Sequence, residues 1–271
     1  MKSLPYVRKK EILEMLKRTD YLDTNQLSEK FGVSYMTIHR DLKVLENEGR
    51  ISRVHGGAIV FSSGENADGT QAPVSEDLTM EERFCVCQQE KRAMAKAAAK
   101  MVKDGEIIAL DASTSALQMC SLLHDREITV ITNGLNIALQ FADSESVEVL
   151  LIGGLLRKSS LSLSEICNPE LLDTLNIDKC FFSASALSFQ KGMTELSYEE
   201  SKVKRKILGR VDKLFVLADH TKIGKSAPYV DCTYEQIHAV VTDQFEGASV
   251  GQIACLQDFE KHGVQVIYGI A

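Results

Sequence analysis

Ser34, Tyr35, Thr37, His39, Arg40 and Lys43 place hydroxyl, imidazole and cationic groups within one short stretch, and Arg53, His55, Gly56 and Gly57 follow soon after. Hydroxyl and imidazole groups suit hydrogen bonds to base edges, Arg and Lys suit phosphates, and paired glycines let a main chain approach a backbone closely. This is chemistry for double-stranded DNA. A second set has a different character. Asp111, Ser113, Thr114 and Ser115, then Thr132 and Asn133, Gly153 and Gly154, and Asp219 with Lys222 each follow an apolar run, and Arg157 lies just beyond the third. Ser113 to Ser115 begins a helical pattern, so its amides and the helix dipole suit an anion such as phosphate, with Lys222 or Arg157 as countercharge. Taken singly, Asp111 or Ser113 is equally a helix cap, the glycine pair a turn and Lys222 a solvated side chain.

Both sets need elements to position them. Residues 5 to 18 repeat apolar positions at helical spacing through Val7, Ile12, Leu13 and Leu16. Asp23, Thr24 and Gln26 supply capping groups for a short helix bearing Leu27 and Phe31. After Gly32, Ser34 caps a third helix whose stripe of Met36, Ile38, Leu42 and Leu45 points inward, leaving the DNA set outward. Ile51 to Val60 alternates around His55-Gly56-Gly57 as a hairpin. The sum is a winged helix over residues 1–60. Residues 61–77 are rich in Ser, Gly, Asp and Asn and read as a linker.

From 78 to 271 the pattern changes to EIIALD, ITVITN, VEVLLIGG, DKCFFSAS, KLFVLAD, HAVVTD and VQVIYG, separated by segments of helical periodicity. Uniformly apolar runs suit strands buried on both faces, which gives a doubly wound α/β domain. In such sheets ligands bind beyond the carboxyl ends of the strands, so the second polar set is expected to converge on a small-molecule site.

The net charge of −7 conceals a split. Residues 1 to 60 hold 11 Lys and Arg against 8 Asp and Glu, or +3, and the remainder holds 20 against 30, or −10. The positive charge therefore lies with the DNA set. No run approaches the roughly 18 apolar residues of a membrane span, and the N-terminus lacks a secretory pattern, so a cytoplasmic protein with no membrane partner is expected. The seven cysteines are scattered and read as reduced core residues; Cys85-x-Cys87 alone hints at redox or metal chemistry. No metal, cofactor or catalytic residue is expected.

Val33-Ser34-x-x-Thr37-Ile38-x-Arg40-Asp41-Leu42-x-x-Leu45, with Gly49-Arg50-Ile51-x-Arg53-Val54-His55-Gly56-Gly57-Ala58, resembles the DeoR-type winged helix of bacterial transcriptional regulators. The resemblance implies that Asp41 pairs within the fold. It departs at His39, where the family usually has Arg. Lys91-Arg92 through Asp111, Thr132-Asn133, Gly153-Gly154-x-x-Arg157, Gly192-x-Thr194, Glu200-x-x-x-Lys204-Arg205 and Asp219-x-x-Lys222-x-Gly224 look like the DeoR effector domain. That domain is similar to ribose-5-phosphate isomerase and senses phosphorylated sugars or related metabolites. The resemblance adds Glu200 and Lys204 to the effector set. Ser113 and Ser164 stand where the family usually has Gly. What it implies is a regulator, most often a repressor, of carbohydrate genes, acting as a homodimer or higher oligomer on a DNA operator. An isomerase-like enzyme with an accessory DNA-binding domain is the competing class. Asp111, Glu200, Lys204 and Lys222 include acid and base types for it, but no spacing sets a tuned base.

Overall fold

Apolar stripes at helical and strand periods sort this chain into two compact units, Met1–Pro73 and Val74–Ala271, in a computed structural model. The structure describes residues 5–16, 22–34, 37–38, 41–42, 45, 51–54, 57–60, 80–167 and 169–270.

In the first unit, α1 (Pro5–Leu16) is followed by β1 (Leu22–Asp23), α2 (Thr24–Phe31), β2 (Ile51–Val54) and β3 (Gly57–Val60). Thr37, Ile38, Asp41, Leu42 and Leu45 are helical. Ile12, Leu16, Leu22, Leu27, Phe31, Ile38, Leu42 and Leu45 form its core, all but Leu22 expected from their spacing; Leu13 packs against it partly buried, and the expected Val7 and Met36 side chains lie outside the described residues. β2 and β3 pair antiparallel from Ile51↔Val60 to Val54↔Gly57, and β1 adds to β3, giving the sheet order β1-β3-β2. This is the helix-and-wing arrangement. Arg8 Nε donates to Asp41 Oδ2 at 2.5 Å with both side chains buried, so Asp41 does pair inside the fold.

The second unit is built on seven parallel strands: β4 (Ile107–Leu110), β5 (Ile128–Thr132), β6 (Val147–Leu151), β9 (Ile177–Ser183), β12 (Val211–Leu217), β14 (Ile237–Asp243) and β15 (Gln265–Gly269). These are the seven apolar runs. Their order is β15-β14-β12-β9-β4-β5-β6, with parallel register throughout. The chain winds from β4 to β5 and β6, then crosses back to continue on the other side of β4. The switch point therefore lies between the carboxyl ends of β4 and β9.

Helices α3 (Met80–Cys85), α4 (Gln88–Ala99), α5 (Thr114–Leu123), α6 (Leu135–Gln140), α7 (Tyr198–Leu208) and α8 (Val250–Lys261) flank the sheet. Two buried clusters fill the layers, one including Phe182, Val216, Val240 and Phe259. The other includes Met94, Ile108, Met119, Val130 and Phe181. Smaller strands escaped the periodicity: the hairpin β7 (Leu156–Arg157) and β8 (Ser162–Leu163), and the antiparallel sheet of β10 (Ala186–Ser188), β11 (Gly192–Glu195) and β13 (Tyr229–Cys232). They are short and mix polar with apolar residues, so neither period stands out.

Four of the cysteines, Cys120, Cys180, Cys232 and Cys255, are buried as expected, but Cys167 is exposed. Burial, aided by the nearby Asp219 and Glu90 charges, pushes the Cys87 thiol up to about 12, which leaves it protonated and unreactive at neutral pH. No helix among the described residues is long and apolar enough to cross a membrane.

Candidate effector site and DNA interface

The switch point is occupied by Asp111, which follows β4 and is buried. Its Oδ2 accepts from the Ser183 amide at the end of β9 at 2.9 Å, and its Oδ1 accepts from the Ser113 amide at 3.3 Å. Lys204, reaching in from α7, places Nζ 3.1 Å from Asp111 Oδ2 and donates to Glu195 Oε2 at 2.7 Å and to the Ser183 carbonyl at 2.6 Å. Burial alone would lower the Lys204 ammonium, yet Glu195 and Asp111 hold it well above the ordinary lysine value. Burial alone would raise Glu195, yet Lys204 holds it below the ordinary carboxylate value. Lys204 is thus neutralised by its own carboxylates. It braces the strand ends and is not a free cation for a phosphate.

Ser113 sits at φ −78°, an ordinary conformation, and its hydroxyl caps α5 by accepting from the Ala116 amide at 3.1 Å. That uses one first-turn donor internally. The amides of Thr114 and Ser115 carry no hydrogen bond among the described residues and remain for an anion, while both side chains are buried. Thr114 Oγ1 donates to the Arg83 carbonyl at 3.4 Å, and that carbonyl also accepts from Lys91 Nζ at 2.6 Å. Lys91 is buried, with a second bond to the Val86 carbonyl at 2.7 Å. Burial lowers its ammonium below the ordinary lysine value against the pull of Asp219.

The loop after β5 closes on the loop after β4. A Cβ on Gly134 would lie 2.9 Å from Ala112 Cα, so only glycine permits that approach. Beside it Asn136, buried in the first turn of α6, has both side-chain Oδ1 and Nδ2 without a hydrogen-bond partner. Asn133 spends its amide on the hairpin, donating to the Leu163 carbonyl at 3.2 Å. Thr132 is fully buried and accepts from the Gly134 amide at 2.9 Å, which makes it an internal brace and not a ligand-facing hydroxyl. A Cβ on Gly154 would lie 2.1 Å from the Glu165 carbonyl oxygen, and one on Gly153 3.3 Å from Leu163 Cδ1. The glycine pair packs backbone against the hairpin. Ser164 takes part in the same packing, donating from Oγ to the Leu155 carbonyl at 3.2 Å.

Arg157, on β7, donates to Ser197 Oγ and lies 3.5 Å from Glu200 Oε1, which accepts from Ser162 Oγ at 3.4 Å. Arg157 therefore ties the hairpin to the start of α7. Asp219 caps its own turn through the Thr221 amide at 3.0 Å and the Thr221 hydroxyl. Lys222, in that turn, has no side-chain hydrogen bond or ion pair among the described residues and remains available as a cation. In the same turn His220 Nδ1 hydrogen-bonds Asp243 Oδ2 at 2.7 Å, and that bond raises the imidazole above its ordinary value.

In the first unit, Ser34 is exposed and accepts from the Thr37 amide at 3.3 Å, the cap expected of it, and Thr37 is half-buried. Arg53 and Gly57 lie in β2 and β3. Tyr35, His39, Arg40, Lys43, His55 and Gly56 lie outside the described residues.

Residues 86–244 match the DeoR C terminal sensor domain and residues 8–64 the DeoR-like helix-turn-helix domain. The chain belongs to the DeoR family of transcriptional regulators. It is 34% identical over 240 residues to the HTH-type transcriptional regulator GolR of Listeria innocua, covering 88% of this chain and 91% of that one. It is 30% identical over 259 residues to the HTH-type transcriptional repressor GlcR of Bacillus subtilis, covering 94% and 93%. Among solved structures, ribose 5-phosphate isomerase A from Methanocaldococcus jannaschii matches at TM-score 0.39 and 17% identity over 50% of this chain and 54% of that one, too distant to bear on activity. The DeoR assignment makes the chain a DNA-binding regulator with a sensor domain. Ser183 stands at a strand end, where the sequence reading looks for ligands, and Lys91 falls in the stretch that resembles the effector domain, whereas Arg83, Glu195 and Asn136 escaped the sequence-based site because no local pattern marks them. Asn136 alone left a trace, a polar residue inside the apolar Leu135-Asn136-Ile137 run.

Proposed function

We propose that this DeoR-family regulator represses carbohydrate-metabolism genes and is controlled by a phosphorylated sugar or a related metabolite. The observation that carries the reading is the pair of unbonded amides at Thr114 and Ser115, beside the switch point and on an eight-residue-plus helix whose dipole favours an anion. The phosphate sits on these amides, with Lys222 and Lys91 as the nearby cations and the unpartnered Asn136 amide for sugar hydroxyls. Asp111, Lys204, Glu200 and Arg157 hold the surrounding loops. The repressor reading draws on relatives named as repressors, GlcR and a putative aga operon repressor of Escherichia coli O157:H7.

DNA is read by the outward side of the helix carrying Tyr35, Thr37, His39, Arg40 and Lys43, with Ser34 at its start and Arg53, His55, Gly56 and Gly57 on the wing. The chain works in the cytoplasm as a homodimer or higher homo-oligomer, because half-sites about 34 Å apart require at least two recognition helices at fixed separation. The effector must bind one arrangement of the two more tightly than another. Fluorescence anisotropy on DNA from upstream of its own gene, at several salt concentrations and with a panel of sugar phosphates, tests this. The expected result is salt-sensitive binding shifted by one class of sugar phosphate. Salt-insensitive binding, or indifference to every phosphate tried, overturns it.

A further inference from the structure

A cavity of about 420 Å³ opens between the C-terminal turns of α4 and α5 and the end of β15. Its size falls in the range of small-molecule sites, roughly 300–1,000 Å³. Leu122, Tyr268 and Ile270 line it and stay 44%, 44% and 75% exposed, so three apolar side chains face water at one place.

The polar part of the lining carries one sign. Lys96 on α4 and Lys100, the residue that caps its C-terminal end, stand one helical turn apart, both exposed and with no hydrogen bond or ion pair among the described residues. Like charges at this spacing repel, and an anion between them relieves the repulsion. Arg126 is held in place by Asp104 Oδ1, 2.6 Å from its Nε, and by the Val102 carbonyl, 3.1 Å from its Nη2. Arg126 is thus a cavity-lining cation already partnered by Asp104, which leaves the two lysines as the main free charges there among the described residues. No carboxylate lines the cavity, although the chain as a whole is acidic.

We infer that this cavity is a second ligand site, for a small amphipathic anion: an aryl or alkyl body against Leu122, Tyr268 and Ile270, with a carboxylate or sulfonate head at Lys96, Lys100 and Arg126. A sugar phosphate does not suit it, since hydroxyls would cover the apolar wall without hydrogen bonds. The site is also separate from the effector set. Ser113 caps the first turn of α5 and Leu122 lies in its last, so the two ends of this helix, about 15 Å apart, face different ligands.

Titration of the full chain with anilinonaphthalene sulfonate, followed by fluorescence, tests the inference. Saturable binding at one site per chain is expected, weakened at least tenfold by Lys96→Glu with Lys100→Glu and, independently of charge, by Ile270→Ser. All three positions are exposed, and an unchanged melting temperature verifies that the variants fold. Unsaturable fluorescence, equal affinity in the variants, or displacement of the probe by ribose 5-phosphate overturns the inference. The effector response of the same preparations, read on DNA, reports separately on the sugar-phosphate site.

Discussion

Asp111 and Lys204 meet 3.1 Å apart, both buried, although 93 positions separate them, and the same Asp111 carboxylate takes up the Ser183 amide. Removing Asp111 leaves Lys204 paired with Glu195 at 2.7 Å but deletes one of its two carboxylates and the acceptor of the buried Ser183 amide, at a cost of about 1–3 kcal/mol. Asp111→Ala is expected to lower the unfolding free energy of the second unit by that order, read as a lower urea midpoint at unchanged slope, and to abolish the effector response. A midpoint unchanged from wild type would show that the pair does not hold the β4 and β9 ends together.

Ser113 caps α5 with the hydroxyl that stands where the family usually has glycine. In Ser113→Gly the Ala116 amide becomes free, adding a third donor to those of Thr114 and Ser115. Gly is nearly as good a cap as Ser, differing by a few tenths of a kcal/mol, so the fold survives. Affinity for a phosphorylated effector is expected to rise about two- to fivefold, the worth of one more helix-terminal donor. Calorimetric titration measures it, and a fall in affinity would place the anion elsewhere.

Gly154→Ala pushes a Cβ to 2.1 Å from the Glu165 carbonyl oxygen, a backbone atom that cannot step aside. A loss of about 2 kcal/mol or more is expected, together with loosening of the hairpin that carries Arg157. Limited proteolysis should then cut within residues 155–165. Resistance equal to wild type would mean that the close approach is dispensable.

Asp231 is buried, and burial, opposed by the Lys204 charge and the neighbouring Ser201 hydroxyl, pushes its carboxyl up from 3.8 to about 6. Between those values the folded chain holds the proton more tightly than the unfolded chain. Its contribution therefore becomes progressively destabilising as pH rises through about 4 to 6. Asp231→Asn is expected to stabilise the protein by about 1–2 kcal/mol at pH near 7, with the gain fading toward pH about 4. Paired thermal melts at the two pH values check it; a gain independent of pH would dismiss the carboxylate as its source.

Two classes of substitution in the first unit should separate cleanly. Arg8→Ala leaves the buried Asp41 carboxylate without its partner at 2.5 Å, so DNA binding falls because the unit loses stability, by about 3 kcal/mol. Arg40→Ala and Lys43→Ala should leave the melting temperature alone, weaken operator binding and each reduce the salt slope by about 1. Wild-type affinity in both would remove this helix from the DNA interface.

The seven parallel strands, the flanking helices from α4 onward and the buried stripe of Ile38, Leu42 and Leu45 were readable from periodicity, because hydrophobic burial imposes a local repeat on a helix or strand, whereas the six-residue α3 was too short to show one. The capping roles of Ser34 and Ser113 were equally local, set by a hydroxyl three residues before the amide that it receives. The hairpin bearing Arg157 and the sheet of β10, β11 and β13 were not, since strands of two to four residues are held by partners elsewhere in the chain.

What the sequence determined by itself was therefore the set of elements and the edge of the sheet at which polar residues gather. Tertiary structure alone decided how those residues divide their work. It neutralised Lys204 between Asp111 and Glu195, turned Thr132 inward, packed Gly154 against the Glu165 backbone and left Lys222 without a side-chain partner among the described residues, while bringing Lys91 to the carbonyl that also receives Thr114. The reason is physical. Burial and capping act over a few neighbouring residues, whereas the charge on a side chain is set by whichever partners the fold carries to within about 3 Å of it, from any distance along the chain.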